Sequence, residues 1–329
     1  MLSTLRFATC ASILTLSTML ATQASAKDLK VVASFSIIAD FAKNVGGDRV
    51  TVTTLVGPDG DAHVYEPRPA DAVAVSKADV VLVNGLEFEG FLKRLIETSA
   101  TKAPVVELTK GVEPLKLSEE PAGHAHPEAD EAAENGHGHD HSHGDEDGHH
   151  HHGEFDPHAW QSVSNAIIYV KNVADAFCET DKAGCATYTA NSEAYVAKLQ
   201  ELENHVKTEV AAIPQEKRTI ITSHDAFGYF EQSYGLEFLA PEGVSTESEA
   251  SAADVAKLVD QVKEDKASAI FVENITDKRL IEQIGKETGL KVGGTLYSDA
   301  LSTMDGPAST YIDMMNNNID TIKAAVLSQ

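Results

Sequence analysis

Ten of the fourteen histidines fall between His124 and His152, in a stretch made mostly of Gly, Asp, Glu and Ala. They are His124, His126, His137, His139, His141, His143, His149, His150, His151 and His152. Neutral imidazole is the commonest side-chain ligand for zinc and its neighbours, and the intervening carboxylates add harder donors. The stretch has almost no apolar residues, so it has nothing with which to bury a core, and disorder is the expectation. Because the run is internal, irregular and interleaved with acids, it does not read as an appended tag. Metal handling is the chemistry this composition suggests. It would be capture at several weak, overlapping sites, or an incidental property of a solubilising loop.

Four histidines lie elsewhere. His63 sits in Gly57-Pro-Asp-Gly-Asp-Ala-His-Val-Tyr-Glu-Pro67, His158 in Asp156-Pro-His-Ala-Trp160, and His224 in Thr222-Ser-His-Asp-Ala-Phe-Gly228. All three occupy strand-to-helix or loop-to-helix junctions, where a rigid scaffold points side chains into a cleft. A fourth junction, Tyr297-Ser-Asp-Ala-Leu301, offers Asp299. Three imidazoles and one carboxylate form a nitrogen and oxygen set that zinc accepts in tetrahedral geometry. His205 lies among Glu203, Asn204 and Lys207 and reads as a solvated surface histidine.

The elements that must position these residues alternate. Short β-branched runs at 29–34, 50–56, 78–84 and 104–108 read as strands, with helices at 37–45, 68–77 and 91–99 between them. That is a βα-repeating unit with a parallel sheet. Helices are expected at 164–178 and 186–212, the second spanning about 40 Å at 1.5 Å per residue. The alternation then restarts, with strands at 218–222, 236–240, 267–272 and 291–296. Helices are expected at 226–234, 251–264, 277–288 and 307–327. The fold class is therefore α/β: two lobes with parallel sheets joined by a long helix, with the ligand cleft between them. The expected organisation is a leader at 1–26, a first lobe at 27–160 that contains the His-rich insert at 119–153, connecting helices at 161–213 and a second lobe at 214–329.

The leader reads as a secretory signal. Arg6 precedes a stretch of small and apolar residues to Ala21, and Ala24-Ser25-Ala26 is a small-x-small cleavage pattern. Beyond it no segment is long and apolar enough to cross a membrane. Two of the three cysteines, Cys178 and Cys185, follow the leader. In an exported chain their spacing suggests one disulfide at the corner between the two middle helices, with two free thiols as the alternative. The formal charge of −25 argues against nucleic acid or an anionic membrane surface as a partner and favours attraction of cations.

In combination, Asp61-Ala-His63 with Tyr65 and Pro67, Asp156-Pro-His158 with Trp160, His224-Asp-Ala-Phe-Gly-Tyr229 and Ser298-Asp299 resemble the zinc-specific substrate-binding proteins of bacterial ABC transporters, the ZnuA type. The resemblance covers essentially the whole chain after the leader. It implies two (β/α) lobes, a rigid connecting helix, and one metal ion between the lobes, held by His63, His158, His224 and Asp299. In some zinc members water or another carboxylate takes the fourth place. A His- and Asp-rich insert is also a feature of the zinc members. Manganese-specific relatives carry Glu where this chain has His224, and an added imidazole tilts preference towards zinc. Some zinc members have a carboxylate directly beside the first histidine; here that position is Ala62, and Asp61 reads as a supporting or structural residue.

The resemblance further implies a periplasmic, monomeric, non-enzymatic protein that binds Zn2+ as cargo and delivers it to a membrane permease. A periplasmic zinc buffer, a carrier of manganese or another divalent metal, and a three-histidine zinc hydrolase using Glu66 or Asp225 as base are the alternatives. The hydrolase reading lacks a His-Glu-x-x-His motif, and Asp299 would close its open coordination position.

Overall fold

The computed structural model describes residues 28–117 and 153–328. The expected leader at 1–26, with its cleavage point, and the ten clustered histidines lie outside the described residues. In the first lobe β1 (Leu29–Phe35), β2 (Val50–Val56), β3 (Val80–Val83) and β4 (Val105–Glu107) form a parallel sheet in the order β2-β1-β3-β4. Helices α1 (Ser36–Gly46), α2 (Pro69–Ser76) and α3 (Leu92–Ser99) make the crossovers. All four residues of β3, Val-Val-Leu-Val, are buried, as expected of a strand covered on both faces.

The second lobe repeats the scheme. Strands β5 (Thr219–Ile221), β6 (Glu237–Leu239), β7 (Ala269–Glu273) and β8 (Val292–Leu296) pair in parallel in the order β6-β5-β7-β8. Helices α6 (Gly228–Tyr234), α7 (Ala252–Asp265) and α8 (Lys278–Thr288) connect them, and α9 (Tyr311–Leu327) closes the chain. The closing helix begins four residues later than its expected start at 307. Thr310 is its N-cap, accepting the Asp313 N–H, so the helix starts where an orphan amide finds a partner rather than just after Pro307.

Between the lobes run α4 (Val163–Thr180) and the 27-residue α5 (Cys185–Ala211). α5 buries Tyr188, Ser192, Tyr195, Leu199, Leu202, Val206 and Val210, a stripe repeating every three or four residues. The stripe packs on α4, α1 and α9, and so on elements of both lobes. Cys178 lies in the last turn of α4 and is disulfide-bonded to Cys185, the first residue of α5.

A single hydrophobic cluster runs from Val31 and Phe35 of the first sheet through Tyr169 and Leu199 to Phe271, Leu296 and Met315 of the second lobe. A smaller cluster around Ile221, Leu258, Ile270 and Ile284 fills the outer face of the second sheet. The lobes therefore share packed side chains along α5 and α9 rather than hanging on a bare linker. Burying each such Val, Leu or Phe is worth about 1.5–3 kcal/mol, and a wide hinge opening would forfeit several of them.

Candidate metal centre

Four loops, each leaving the carboxyl end of a strand or preceding a helix, bring their side chains to one point between the sheets. His63 leaves β2, His224 leaves β5, Asp299 leaves β8, and His158 immediately precedes a 3₁₀ turn (Ala159–Gln161) that leads into α4. His158, His224 and Asp299 have no solvent exposure, and His63 keeps 7%. Asp299 Oδ2 is 3.2 Å from His63 Nε2, 3.2 Å from His224 Nε2 and 3.7 Å from His158 Nε2. One donor atom from each of the four residues lies within 4.8 Å of the others.

The second nitrogens of two imidazoles face carboxylates. His158 Nδ1–H donates to Asp156 Oδ1 at 2.8 Å, and Asp156 also accepts the His158 backbone N–H. His224 Nδ1 lies 2.7 Å from Glu273 Oε2, a close electrostatic contact off the line of a hydrogen bond. Glu273 Oε1 accepts the backbone N–H groups of Ser223 and His224. A carboxylate behind an imidazole places the proton on Nδ1, leaves Nε2 as the free donor and raises its basicity. His63 receives different support: Asp61 Oδ1 accepts its backbone N–H, and its ring stands edge-on to Phe88 at 4.8 Å.

Charge follows the same division. Burial pulls the His63 pKa down, and the nearby Asp299 only partly offsets it. Burial would lower His158 too, but Asp299 and Asp156 push it up to about 9. His224 is raised well above the ordinary value, because Glu273 and Asp299 outweigh its burial. Burial would raise Asp299, yet His158 and His224 hold it well below the usual carboxylate range.

Both oxygens of Asp299 and Nε2 of His224 are buried without a hydrogen-bond partner. Asp299 is held only by electrostatic contacts with the imidazoles, off the line of a hydrogen bond, and a desolvated carboxylate so held is costly. A divalent cation at the point where Nε2 and Oδ2 atoms converge removes that cost, and the donor set fits one.

Backbone supports hold the loops. Asn84 Nδ2 donates to Pro157 O at 2.8 Å, and Tyr169 donates to Asn84 Oδ1 at 2.6 Å. Trp160 Nε1 and Gln161 Nε2 both donate to Ser298 O, the carbonyl just before Asp299. Gly228 packs so closely on Asp156 that a Cβ there would sit 2.7 Å from Oδ2. Tyr65, part of the first motif, serves the scaffold: its hydroxyl and the Arg68 N–H both donate to Asp71 at the start of α2.

The four junction residues expected from the sequence thus come together, and His205 is exposed on α5, as expected. Neither Glu66, which is exposed, nor Asp225 belongs to the converging set. Sequence reasoning missed Glu273. Its one trace was an acid ending the otherwise apolar strand Ala269-Ile-Phe-Val-Glu273, at the carboxyl end of a parallel sheet.

The chain matches the family described as "Zinc-uptake complex component A periplasmic" (ZnuA) over residues 31–325. It is 36% identical over 300 residues to the "Manganese-binding lipoprotein MntA" of Halalkalibacterium halodurans, with 91% of this chain and 89% of that protein covered. It is 33% identical to the "Iron-binding protein YfeA" of Yersinia pestis, covering 91% and 86%. Among solved structures, the "periplasmic zinc binding protein TroA" of Treponema pallidum superposes with a TM-score of 0.77 at 30% identity, covering 91% of this chain and 99% of that one. With this fold, and with four donor groups converging between its lobes, the chain belongs to the ZnuA family of metal-binding, non-catalytic substrate-binding proteins that serve ABC transporters.

Proposed function

We propose that this protein captures zinc in the periplasm, holds it on His63, His158, His224 and Asp299, and hands it as a monomer to the membrane permease of its transporter. The observation that carries this reading is the convergence of three imidazole Nε2 atoms on one buried, unpartnered carboxylate. Three nitrogens and one oxygen suit zinc better than an oxygen-rich set would, whereas manganese prefers harder donors. Copper(II) binds such a set more tightly still on the Irving–Williams order, so availability must settle that choice in the cell.

Manganese or iron is the second reading, and the names of the relatives favour it. The deciding experiment is a competitive titration of zinc against manganese, using protein that lacks 119–153. One tight zinc equivalent, abolished by His224→Ala and poorly matched by manganese, supports the zinc reading. Equal or tighter manganese binding overturns it in favour of the second. No tight equivalent of either metal would leave the buffer reading in the lead, with the chemistry in the insert.

The insert is proposed to collect zinc at lower affinity. The residues that flank it meet beside the cleft: Leu117 N–H donates to Glu154 O, Asp156 N–H donates to Leu115 O, and Lys116 bridges to Phe155. Gly153 and Phe155 line the open cleft of about 610 Å³ that His63 also faces. Metal released from the insert would therefore start its search next to the mouth of the site.

A further inference from the structure

The loop that carries His63 is fastened to the opposite lobe at three points. Asp59 N–H donates to Leu301 O at 2.9 Å. Asn274 Nδ2 donates to Asp59 Oδ1 at 3.0 Å. Thr246 Oγ1 donates to Asp61 Oδ2 at 2.6 Å. The other oxygen of Asp61 accepts the His63 N–H at 2.9 Å, so one carboxylate holds the histidine's backbone on one side and the second lobe on the other. Asp59 makes its crossing with a left-handed φ of 53°, which Asp adopts more readily than most side chains. The partners on the second lobe are neighbours of the site as well: Asn274 follows Glu273, and Leu301 lies two residues beyond Asp299.

Among the described residues, the open cleft at His63 is the way out that the geometry offers a bound cation. His158, His224 and Asp299 are fully buried, and His63 alone of the four lines the open cleft, together with Val244, Ser245 and Glu247 of the segment that carries Thr246. Parting this segment from the His63 loop breaks the bond between Thr246 and Asp61. We propose that Asp61 is a positioning residue for metal release: through Thr246 it clasps the His63 loop to the second lobe and lengthens the residence time of the bound divalent cation. This rests on reading the four converging residues as the metal site. Asp61 itself lies outside the converging set. A hydrogen bond to a charged acceptor, half exposed, is expected to slow release by about tenfold.

The test loads the full chain with one equivalent of zinc, mixes it with an excess of a chromogenic chelator and follows release. Thr246→Val should release zinc about tenfold faster than the unsubstituted protein. Thr246→Ser, which keeps the hydroxyl, should release it at the original rate. The absorption spectrum of the Co2+-loaded protein, which reports the ligand set, should be the same in all three. A merely structural defect would alter that spectrum. Release from Thr246→Val at the original rate, equally fast release from Thr246→Ser, or a changed Co2+ spectrum would each overturn the clasp. Failure of the underlying site reads differently: if His224→Ala holds and releases zinc as the unsubstituted protein does, site and clasp fall together. If release depends on His224 but not on Thr246, the clasp alone falls.

Discussion

The floor and the mouth of the cleft hold the same side chain in opposite electrostatic states. On the floor His158 and His224 are fully buried and backed by Asp156 and Glu273, and both have raised pKa values. At the mouth His63 shares Asp299 with the floor but has the Phe88 ring beside it where the others have a backing carboxylate among the described residues; it touches the open cleft and has a lowered pKa. Three imidazoles identical in the sequence are thus divided by their second neighbours. The floor carries the negative charge that makes a divalent cation welcome. The mouth carries a neutral, readily available donor on a loop fastened to the second lobe. Affinity and its pH dependence should therefore be properties of the floor, and exchange a property of the mouth.

The largest expected effect comes from breaking the floor outright. His224→Ala and Asp299→Ala each remove a buried donor that no solvent can replace, and Asp299→Ala also removes the charge that His158 and His224 share. Either should weaken zinc binding by about a thousandfold or more, measured by competition with a chelator of known affinity. His63→Ala, at the mouth, leaves a position that water can fill and should cost less. An equal loss for all three would erase the distinction between the regions.

Acid should act through the floor as well. In the metal-free protein His158 holds its proton up to about pH 9, and His224 is raised well above its ordinary value. Zinc must displace both protons, so affinity should climb with pH by about one log unit per pH unit for each proton displaced. His63, with its lowered pKa, joins only at more acid pH. From the unperturbed value of histidine the decline would centre near pH 6.5. Asp299 in front of His158 and Asp156 behind it move the start of the decline up towards 9. Calorimetry in buffers of different ionisation enthalpy at pH 7.5 should count close to two protons released per zinc. A count near zero would mean that the floor histidines are neutral before the metal arrives.

A smaller effect isolates the carboxylates. Glu273→Gln and Asp156→Asn keep the shape of the support and remove its charge. Each should cost about 10–100-fold in zinc affinity and lower the number of protons released, because the histidine it backs loses its reason to be protonated. A loss of affinity with an unchanged proton count would show that these acids act through loop geometry alone.

How much of this was legible beforehand depends on the range of the interaction. The four converging residues could be found because each stands in a short junction motif, and alternating strands and helices place such junctions at the carboxyl ends of parallel strands. The long α5 was visible from its Ala-, Glu- and Leu-rich composition, and its bounds differ from expectation by one residue at each end. Glu273 was not found, because nothing local joins it to His224: they are 49 residues apart and meet only when β5 and β7 pair. The partnership of Asp61 with Thr246 spans 185 residues and two lobes, so the sequence could mark Asp61 as unusual without naming its partner. The start of α9 was misplaced because Pro307 looks like a helix start, while the cap that decides it is the local bond between Thr310 and Asp313.

The smallest expected effect tests whether the mouth is independent of the floor. Removing 119–153 and joining the ends with a short turn should leave the cleft's equilibrium affinity for zinc within about twofold. The ends are already held together by the Leu117–Glu154 and Leu115–Asp156 backbone hydrogen bonds, so the deletion has little reason to disturb Asp156 or His158. Asp156 is further fixed by the hydroxyl of Tyr229, which donates to its carbonyl at 3.1 Å and accepts the Leu115 N–H at 2.9 Å. What should change is supply: growth and zinc uptake should slow when a chelator makes zinc scarce, and recover when zinc is plentiful. Unchanged uptake under chelation would reduce the insert to a solubilising segment. A loss of cleft affinity well beyond twofold would mean that the ten clustered histidines reach the floor, and the boundary between the two regions would have to be redrawn at His158.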